Sequence, residues 1–192
     1  VVRLRLSVES HRWMQMELRA GLDGEIQGTL TDIHHDYQAQ QLQQARSDVL
    51  DDLLTGLPLA EIQQGIAQRL ERIYPEMRVA LLLDDQGEHL RVAAAPSLPP
   101  AFQAALESVP RQRHDQGCCT AVTTRAPVFT VDVELDPAWQ PLLHAALAAG
   151  IRGAWALPLL DEQQRAVGAL GIYYGEARLP EPETQALITE FT

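Results

Sequence analysis

The sequence predicts an α+β fold: a central antiparallel sheet with flanking helices, preceded by a long helix and three further strands. Three observations carry this. Two hairpin signals, Asp84-Asp85-Gln86-Gly87 and Asp161-Glu162-Gln163-Gln164, each stand between apolar runs of strand character. Segments of helical period separate and flank the hairpins, so the paired strands run antiparallel and the helices cover them. At His34 the apolar period changes from two to between three and five residues, which divides a strand-rich start from a helix.

The first strand, Val2–Ser7, alternates Val2, Leu4 and Leu6 with Arg3, Arg5 and Ser7, the mark of a half-buried strand. His11–Ala20 continues it, with Trp13 and Gln15 on one face and Met14, Met16 and Leu18 on the other. Gly21-Leu22-Asp23-Gly24 is a turn, and Glu25–Asp32 is a third strand. Three strands with nothing to cover a face do not make a stable domain alone. From His34, Tyr37, Leu42, Ala45, Val49 and Leu53 mark a helix with a narrow apolar seam among glutamines. Thr55-Gly56-Leu57-Pro58 ends it. This helix reads as a surface helix of its own domain or as a parallel two-helix connector that transmits rotation or register shifts. Its place directly after Asp32-Ile33 favours the connector.

The remainder reads as one unit. Leu59, Ile62, Ile66, Leu70 and Ile73 mark an amphipathic helix ending before Pro75. Met77–Leu83 and Glu88–Ala95 form the first hairpin. Pro99–Val109 is a helix with proline at its start. A polar loop, Arg111–Gly117, leads into a short helix, Cys118–Thr124, and a strand, Pro127–Val131. Asp136-Pro137 opens a helix, Ala138–Ala149, capped by Gly150. Gly153–Leu160 and Ala166–Tyr174 form the second hairpin. A last helix starts at Pro180, with Glu181 and Glu183 in its first turn, where carboxylates suit the dipole.

Length and charge bound the function. A chain of 192 residues holds one good-sized domain, or one domain and a fragment. The formal net charge of −11 repels phosphate backbones and anionic lipid surfaces, so neither nucleic acid nor membrane is an expected partner. No run approaches the ~20 apolar residues a bilayer span requires. The only cysteines, Cys118 and Cys119, are adjacent, and vicinal residues fit disulfide geometry poorly. A reducing, cytoplasmic setting follows as the expectation. The chain does not begin with Met and is read as an internal segment of a longer protein.

Two resemblances add to this reading. The stretch RLRLSVESHRWMQMELRAGLDGEIQGTLTDI resembles the last three strands of a PAS domain. An Arg-Trp lies in its long strand and an Asp-Gly in its turn, and Gly28-Thr29 runs on to Asp32-Ile33 at the start of a helix. The early strands and helices that hold a PAS ligand have no counterpart here, so no haem or flavin role carries over. From about Leu59 onward the chain is similar to GAF domains, in particular those placed before diguanylate cyclase, phosphodiesterase or histidine kinase outputs. The markers are Gly117-Cys118-Cys119-Thr120-Ala121, Pro127-Val128, Asp132, Asp136-Pro137 with Trp139, and Ala148-Ala149-Gly150-Ile151-Arg152. Trp155 with Pro158, and Gly168 with Tyr174, complete the set. The expected organisation is residues 1–33 as partial PAS strands, 34–57 as a signalling connector helix and 58–192 as the GAF domain. One departure stands out: Cys119 occupies a position where the family usually has glycine, and a side chain there fills space or restricts the backbone.

The resemblance makes Cys118, Cys119, Thr120, Asp132, Trp139, Trp155 and His114 the candidate ligand-pocket residues. Each has a plainer reading. Buried free cysteine is a common packing residue, although the start of a short helix would lower a thiol pKa. His114, Asp115 and Cys118 offer nitrogen, oxygen and sulfur donors, with Asp132, Glu134 or Asp136 facing them, but their spacing matches no metal motif and no metal is assigned. In a GAF fold Trp155 would start the strand behind the pocket and Trp139 would cap it, either as core or as an aromatic wall. The cyclic-nucleotide GAF signature and the Gly-rich, HExxH and GxSxG motifs are absent. GAF-fold methionine sulfoxide reductases use differently spaced cysteines, so the segment is not expected to be an enzyme. The expected function is a regulatory sensory module of a bacterial signalling protein, acting on cyclic-di-GMP synthesis or hydrolysis through dimeric helix connectors. A GAF input of a histidine kinase, or a ligand-free dimerisation spacer, is the alternative. The cofactor stays unassigned, and the partners are a second copy and an unidentified small molecule.

Overall fold

Strands β4 (Arg78–Asp85), β5 (His89–Ala94), β6 (Val128–Thr130), β7 (Gly153–Leu160) and β8 (Ala166–Tyr174) form one antiparallel sheet in the order β5-β4-β8-β7-β6. In the computed structural model the described residues are 2–6, 12–20, 26–110 and 117–179. They fall into two units, Val1–Gln44 and Ala45–Thr192. The order of elements in the second unit is the one the hairpin signals predict. Expectations for His114 and for the helix from Pro180 lie outside the described residues.

Alternation along the sheet divides its faces. Ala80, Leu82, Leu90, Ala154, Ala156, Ala169 and Tyr173 belong to one buried cluster with the helices α3 (Pro100–Glu107), α4 (Gly117–Thr124) and α5 (Leu143–Ala148). Val79, Leu81, Trp155, Leu157, Leu170, Ile172 and Tyr174 are buried on the opposite face. The helix α2 (Leu59–Ile73) packs against β4 and β5 and buries Ile62, Ala67 and Leu70. Leu59, expected on that apolar stripe, is largely exposed, because it sits at the first turn ahead of the sheet contact. Carboxylates tie the helices down. Glu71 accepts from the Val79 amide at 2.9 Å and from Ser97 Oγ at 2.5 Å, and Glu107 accepts from the Val92 amide of the edge strand at 2.8 Å. A satisfied edge amide offers less to a foreign strand.

The predicted helix Ala138–Ala149 is instead two pieces, a 3₁₀ turn at Pro137–Trp139 and α5. Pro141 is the reason: it has no amide hydrogen and its ring displaces the preceding turn. The exit of α5 keeps the expected cap. Gly150 is at φ 69°, its amide donates to the Leu147 carbonyl, and the Ile151 amide donates to the Ala146 carbonyl. This is the Schellman pairing.

In the first unit, β1 (Val2–Leu6), β2 (Arg12–Ala20) and β3 (Ile26–Asp32) form an antiparallel sheet, with Met16 opposite Leu30 and Ala20 opposite Ile26. The start of α1 (His34–Leu54) lies on the Trp13 face, where the Trp13 and Tyr37 rings are 4.3 Å apart and the Ile33 amide donates to the Trp13 carbonyl. The Met14 face is different: Leu18, Ile26 and Leu30 on it are 59%, 73% and 48% exposed.

Helix α1 runs unbroken across the division between the units. Two residues of its apolar seam, Leu42 and Ala45, are buried within the chain. Past Val49 the apolar residues emerge, with Leu50, Leu53 and Leu54 exposed. A second Schellman pairing closes the helix, Gly56 at φ 73° donating to Leu53 and Leu57 donating to Asp52. Arg69 of α2 then reaches back to α1, bonding Asp52 at 2.6 Å with Asp48 at 3.9 Å. It does so through the space left by Gly65, where a Cβ would come within 2.8 Å of the guanidinium.

The tightest backbone approach in the sheet is at Gly168, where a Cβ would run into the Leu82 carbonyl oxygen and the Leu83 Cα. Backbone cannot yield as a side-chain tip can. Gly168→Ala should cost about 1–3 kcal/mol, the range of overpacking, and lower the melting temperature by several degrees. Val167→Ala, at the exposed neighbouring position, should change it little. A thermal melt of the two variants checks this.

Candidate functional site

The cluster between the sheet and α3, α4 and α5 begins with small residues. Ala80, Gly171 and Ala156 stand opposite one another on β4, β8 and β7, making a low floor. Tyr173, two residues beyond Gly171 on the same face, lays its ring back over that floor. A Cβ on Gly171 would meet the Tyr173 hydroxyl at 2.6 Å. Phe102 of α3 meets the Tyr173 ring edge-on at 5.2 Å, and Trp139 meets it edge-on at 6.5 Å. Helix α4 packs on β7, with its first residue, Gly117, over Ala156.

Cys118 and Cys119 enter this cluster from α4, both buried and neither in a disulfide. Cys118 Sγ and Tyr173 Oη are 3.9 Å apart and either can donate. Burial pushes the Cys118 thiol up from 9.0 to about 12; Cys119 beside it adds to this and the Tyr173 bond opposes it. Burial likewise lifts Tyr173 well above its usual value. The position expected to lower a thiol pKa therefore raises it: loss of solvent outweighs any effect of the helix start. The backbone at Cys119 is helical, a conformation that needs no glycine, so its side chain fills space without restricting the chain.

Trp139 is fixed at its polar edge. Its Nε1 donates to Thr130 Oγ1 at 3.0 Å, and the threonine donates to Asp136 Oδ2 at 2.8 Å. The other oxygen of Asp136 accepts from the Ala138 amide at 3.0 Å and caps the 3₁₀ turn. Asp132 sits apart from this cluster. It pairs with Arg152 at 2.8 Å and accepts from the Glu134 amide at 3.0 Å, while Arg152 also reaches Glu134 at 2.9 Å. The Arg152 bond, with the amide, holds the Asp132 carboxyl below the usual carboxylate range. Asp132 is thus a latch on the loop between β6 and β7.

Of the predicted residues, the structure brings Cys118, Cys119 and Trp139 together. Thr120 is half-buried on α4, where its carbonyl accepts from Thr124 Oγ1. Trp155 lies on the opposite face of the sheet, because its neighbours Ala154 and Ala156 take the face toward α4. Its ring lies 4.5 Å from that of Tyr174, tilted by 52°, and meets Phe129 edge-on at 6.0 Å, and its indole N–H has no hydrogen-bond partner among the described residues. His114 lies outside the described residues. Sequence reading did not single out Phe102, Thr130, Asp136 as a relay, or Tyr173. The spacing Gly171-x-Tyr173 on a strand is the one signal that could have found the last. Among the described residues no group of three His, Cys, Asp or Glu side chains could hold a metal. No helix among them is long and apolar enough to cross a membrane.

Both thiols should resist a disulfide-exchange reagent in the native chain at pH 8 and react fully once guanidinium unfolds it. Fast modification of the native chain would contradict the buried geometry. A group whose folded pKa is raised contributes stability below its unfolded pKa and loses it as pH rises toward the folded one. Cys118 moves from 9.0 to about 12 and Tyr74, buried beyond α2, from 10.0 to about 12. The melting temperature should therefore fall between pH 9 and pH 12, a decline that Cys118→Ala makes shallower.

Comparison with known proteins gives this geometry a family. A sensor from Methanosarcina acetivorans, the methyl sulfide methyltransferase-associated sensor, is 28% identical over 170 residues, which cover 86% of this chain and 17% of that protein. The chain thus spans about a sixth of the length of that relative. A Burkholderia vietnamiensis protein described as a GAF sensor superposes with a TM-score of 0.64 at 19% identity, covering 82% of this chain and 90% of that one. The free methionine-R-sulfoxide reductase of Neisseria meningitidis superposes with a TM-score of 0.63 at 18% identity, covering 82% and 84%. At these identities the likeness is one of fold. The family model for the GAF domain matches residues 56–192, most of the chain, and the chain belongs to the GAF domain family.

Proposed function

We propose that the chain is a regulatory sensory segment whose GAF unit governs an output module through helical connectors. The observation that carries this is α1, a single helix of 21 residues that joins the three-stranded unit to the GAF unit and is held to α2 by Arg69. Helices of this kind convert a small local bias into a register change. A signal worth about 1.4 kcal/mol shifts a two-state ratio tenfold. The name of the Methanosarcina relative, a sensor, supports the reading. The output class we assign is cyclic-di-GMP synthesis or hydrolysis, on the sequence resemblance. The first unit is the end of a PAS domain, a reading to which its open apolar face lends support.

Catalysis by the segment itself is not part of the proposal. The reductase fold is shared, but Cys118 and Cys119 are adjacent, buried and pushed toward the thiol form, the reverse of what a redox nucleophile needs. A second reading has a specific observation in its favour. Tyr173, Phe102, Trp139 and Cys118 fill the interior where a small molecule would sit, which suits a spacer that holds no ligand. A thermal-shift screen separates the two. A ligand at 100 times its dissociation constant adds about 2.7 kcal/mol, whereas a spacer stays unmoved by every compound.

The connector role is tested in the full-length protein by insertions into α1 between Gln43 and Ser47. One added residue rotates the helix by about 100° and should change output, while seven restore the phase and should restore it. Equal output from both insertions would end the connector reading.

A further inference from the structure

The turn between β7 and β8 and the end of α4 enclose a cleft of about 260 Å³, lined by Val122, Thr123, Arg125, Arg165 and Ala166. None of the five is among the candidate residues above. Two guanidiniums meet there, in a chain that holds 15 Lys and Arg against 26 Asp and Glu. The same turn anchors each of them along one edge. Arg165 sets Nε and Nη2 on Asp161 Oδ2, both at 2.7 Å. The other oxygen of Asp161 is taken by the amides of Gln163 and Arg165, both at 2.9 Å. Arg125 donates from Nη1 to the Gln164 carbonyl at 3.4 Å. Nη1 of Arg165, and Nε and Nη2 of Arg125, have no partner among the described residues. The backbone sharpens the point. Of the three non-glycine residues with positive φ among the described residues, two meet in this contact, Arg125 at 55° and Gln164 at 61°. Arg125 directly follows α4, the position where glycine commonly ends a helix. Glycine would serve the backbone better, so the arginine is there for its side chain. An arginine placed only for the helix dipole would turn back on the last carbonyls of α4, whereas this one turns to the hairpin.

We infer that this cleft binds a small monocarboxylate, its carboxyl group bridging Arg125 and Arg165 and its short apolar body lying on Val122 and Ala166. The inference goes beyond the connector reading and does not depend on it. Charge sets the class. Two guanidiniums and the Asp161 carboxylate leave one net positive charge, which a monoanion neutralises and a phosphate dianion exceeds. Glu162, in the same turn, is exposed and does not line the cleft. Shape agrees, since the fixed fork of a guanidinium matches the two oxygens of a planar carboxylate. The volume falls just below the ~300 Å³ at which sites for drug-sized ligands begin, so the body is a few carbons long. The carbonyl end of α4 adds partial negative charge, and both arginines are exposed. Affinity therefore falls in the millimolar range, suited to an abundant metabolite. A carboxylate held by both arginines braces the end of α4, the helix that carries Cys118 and Cys119, against the β7–β8 turn.

Butyrate is the probe, titrated at constant ionic strength into the 192-residue chain while the amide resonances of Thr123, Gln164 and Arg165 are followed by NMR. The expected result is a saturable shift at these amides, with butyramide, the uncharged counterpart, producing none. Arg125→Gly removes the guanidinium at a position whose φ suits glycine, so its melting temperature should equal or exceed that of the parent. The same variant should bind butyrate about tenfold more weakly or worse, the worth of a lost hydrogen bond to a charged group. Arg91→Ala, at an exposed position on β5, lowers the net positive charge equally and should leave binding unchanged. No saturable shift by about 50 mM butyrate, well above a millimolar dissociation constant, overturns the proposal. So does binding that survives Arg125→Gly, or that Arg91→Ala weakens as much. Inorganic phosphate binding more tightly than butyrate overturns the monocarboxylate assignment. None of these readings uses the output, so failure here leaves the insertion test on the connector standing and distinguishable.

Discussion

The fit of Tyr173 over Gly171 is the constraint on which the rest of the GAF unit depends. A tyrosine ring is large, and it can lie flat on a sheet only where the neighbouring strands contribute almost no side chain. Ala80, Gly171 and Ala156 provide that surface. Once the ring is down it sets the heights of its neighbours. Phe102 and Trp139 meet it with their edges, the favoured aromatic geometry, and α4 closes over Ala156 with its two cysteines. Two helices, α3 and α4, and the 3₁₀ turn at Pro137–Trp139 thus meet at one side chain.

Around that centre the polar groups act as fasteners. Asp132 with Arg152, Asp136 with Thr130, and Glu71 with the Val79 amide each join a loop or helix end to a strand. Asp161 does the same within its hairpin, where the Arg165 amide and guanidinium together keep its carboxyl low. In a chain of net charge −11, carboxylates used this way turn repulsive groups into local restraints. They contribute little each when exposed, and their effect is to fix which loop lies where.

How much of this was legible beforehand follows the physics of each feature. Strand alternation and turn residues gave β7 and β8 to the residue, because period and turn chemistry are local. The unbroken helix Ala138–Ala149 was misread because apolar spacing outvoted Pro141, whose missing donor the pattern cannot register. Trp155 was open between core and pocket wall by likeness, and strand parity sends it to the opposite face from Ala154 and Ala156, where it is buried as core. The thiol shift of Cys118 was not legible either, since it depends on burial under residues far away in sequence. The seam of α1 was seen, but which part of it would be covered is a tertiary fact.

The contrast between core and joint bears on how a signal could pass. The aromatic cluster is close-packed and shifts only by repacking, which makes it slow to respond to small biases. The polar hold of α1 on α2 is different in kind: Arg69 bonds Asp52, with side chains 20% and 24% exposed, and has Asp48 at 3.9 Å beside it. Pairs of that sort contribute on the order of 1 kcal/mol, close to what a tenfold change in a two-state ratio requires. On the connector reading, the joint rather than the core is therefore the element soft enough to be switched.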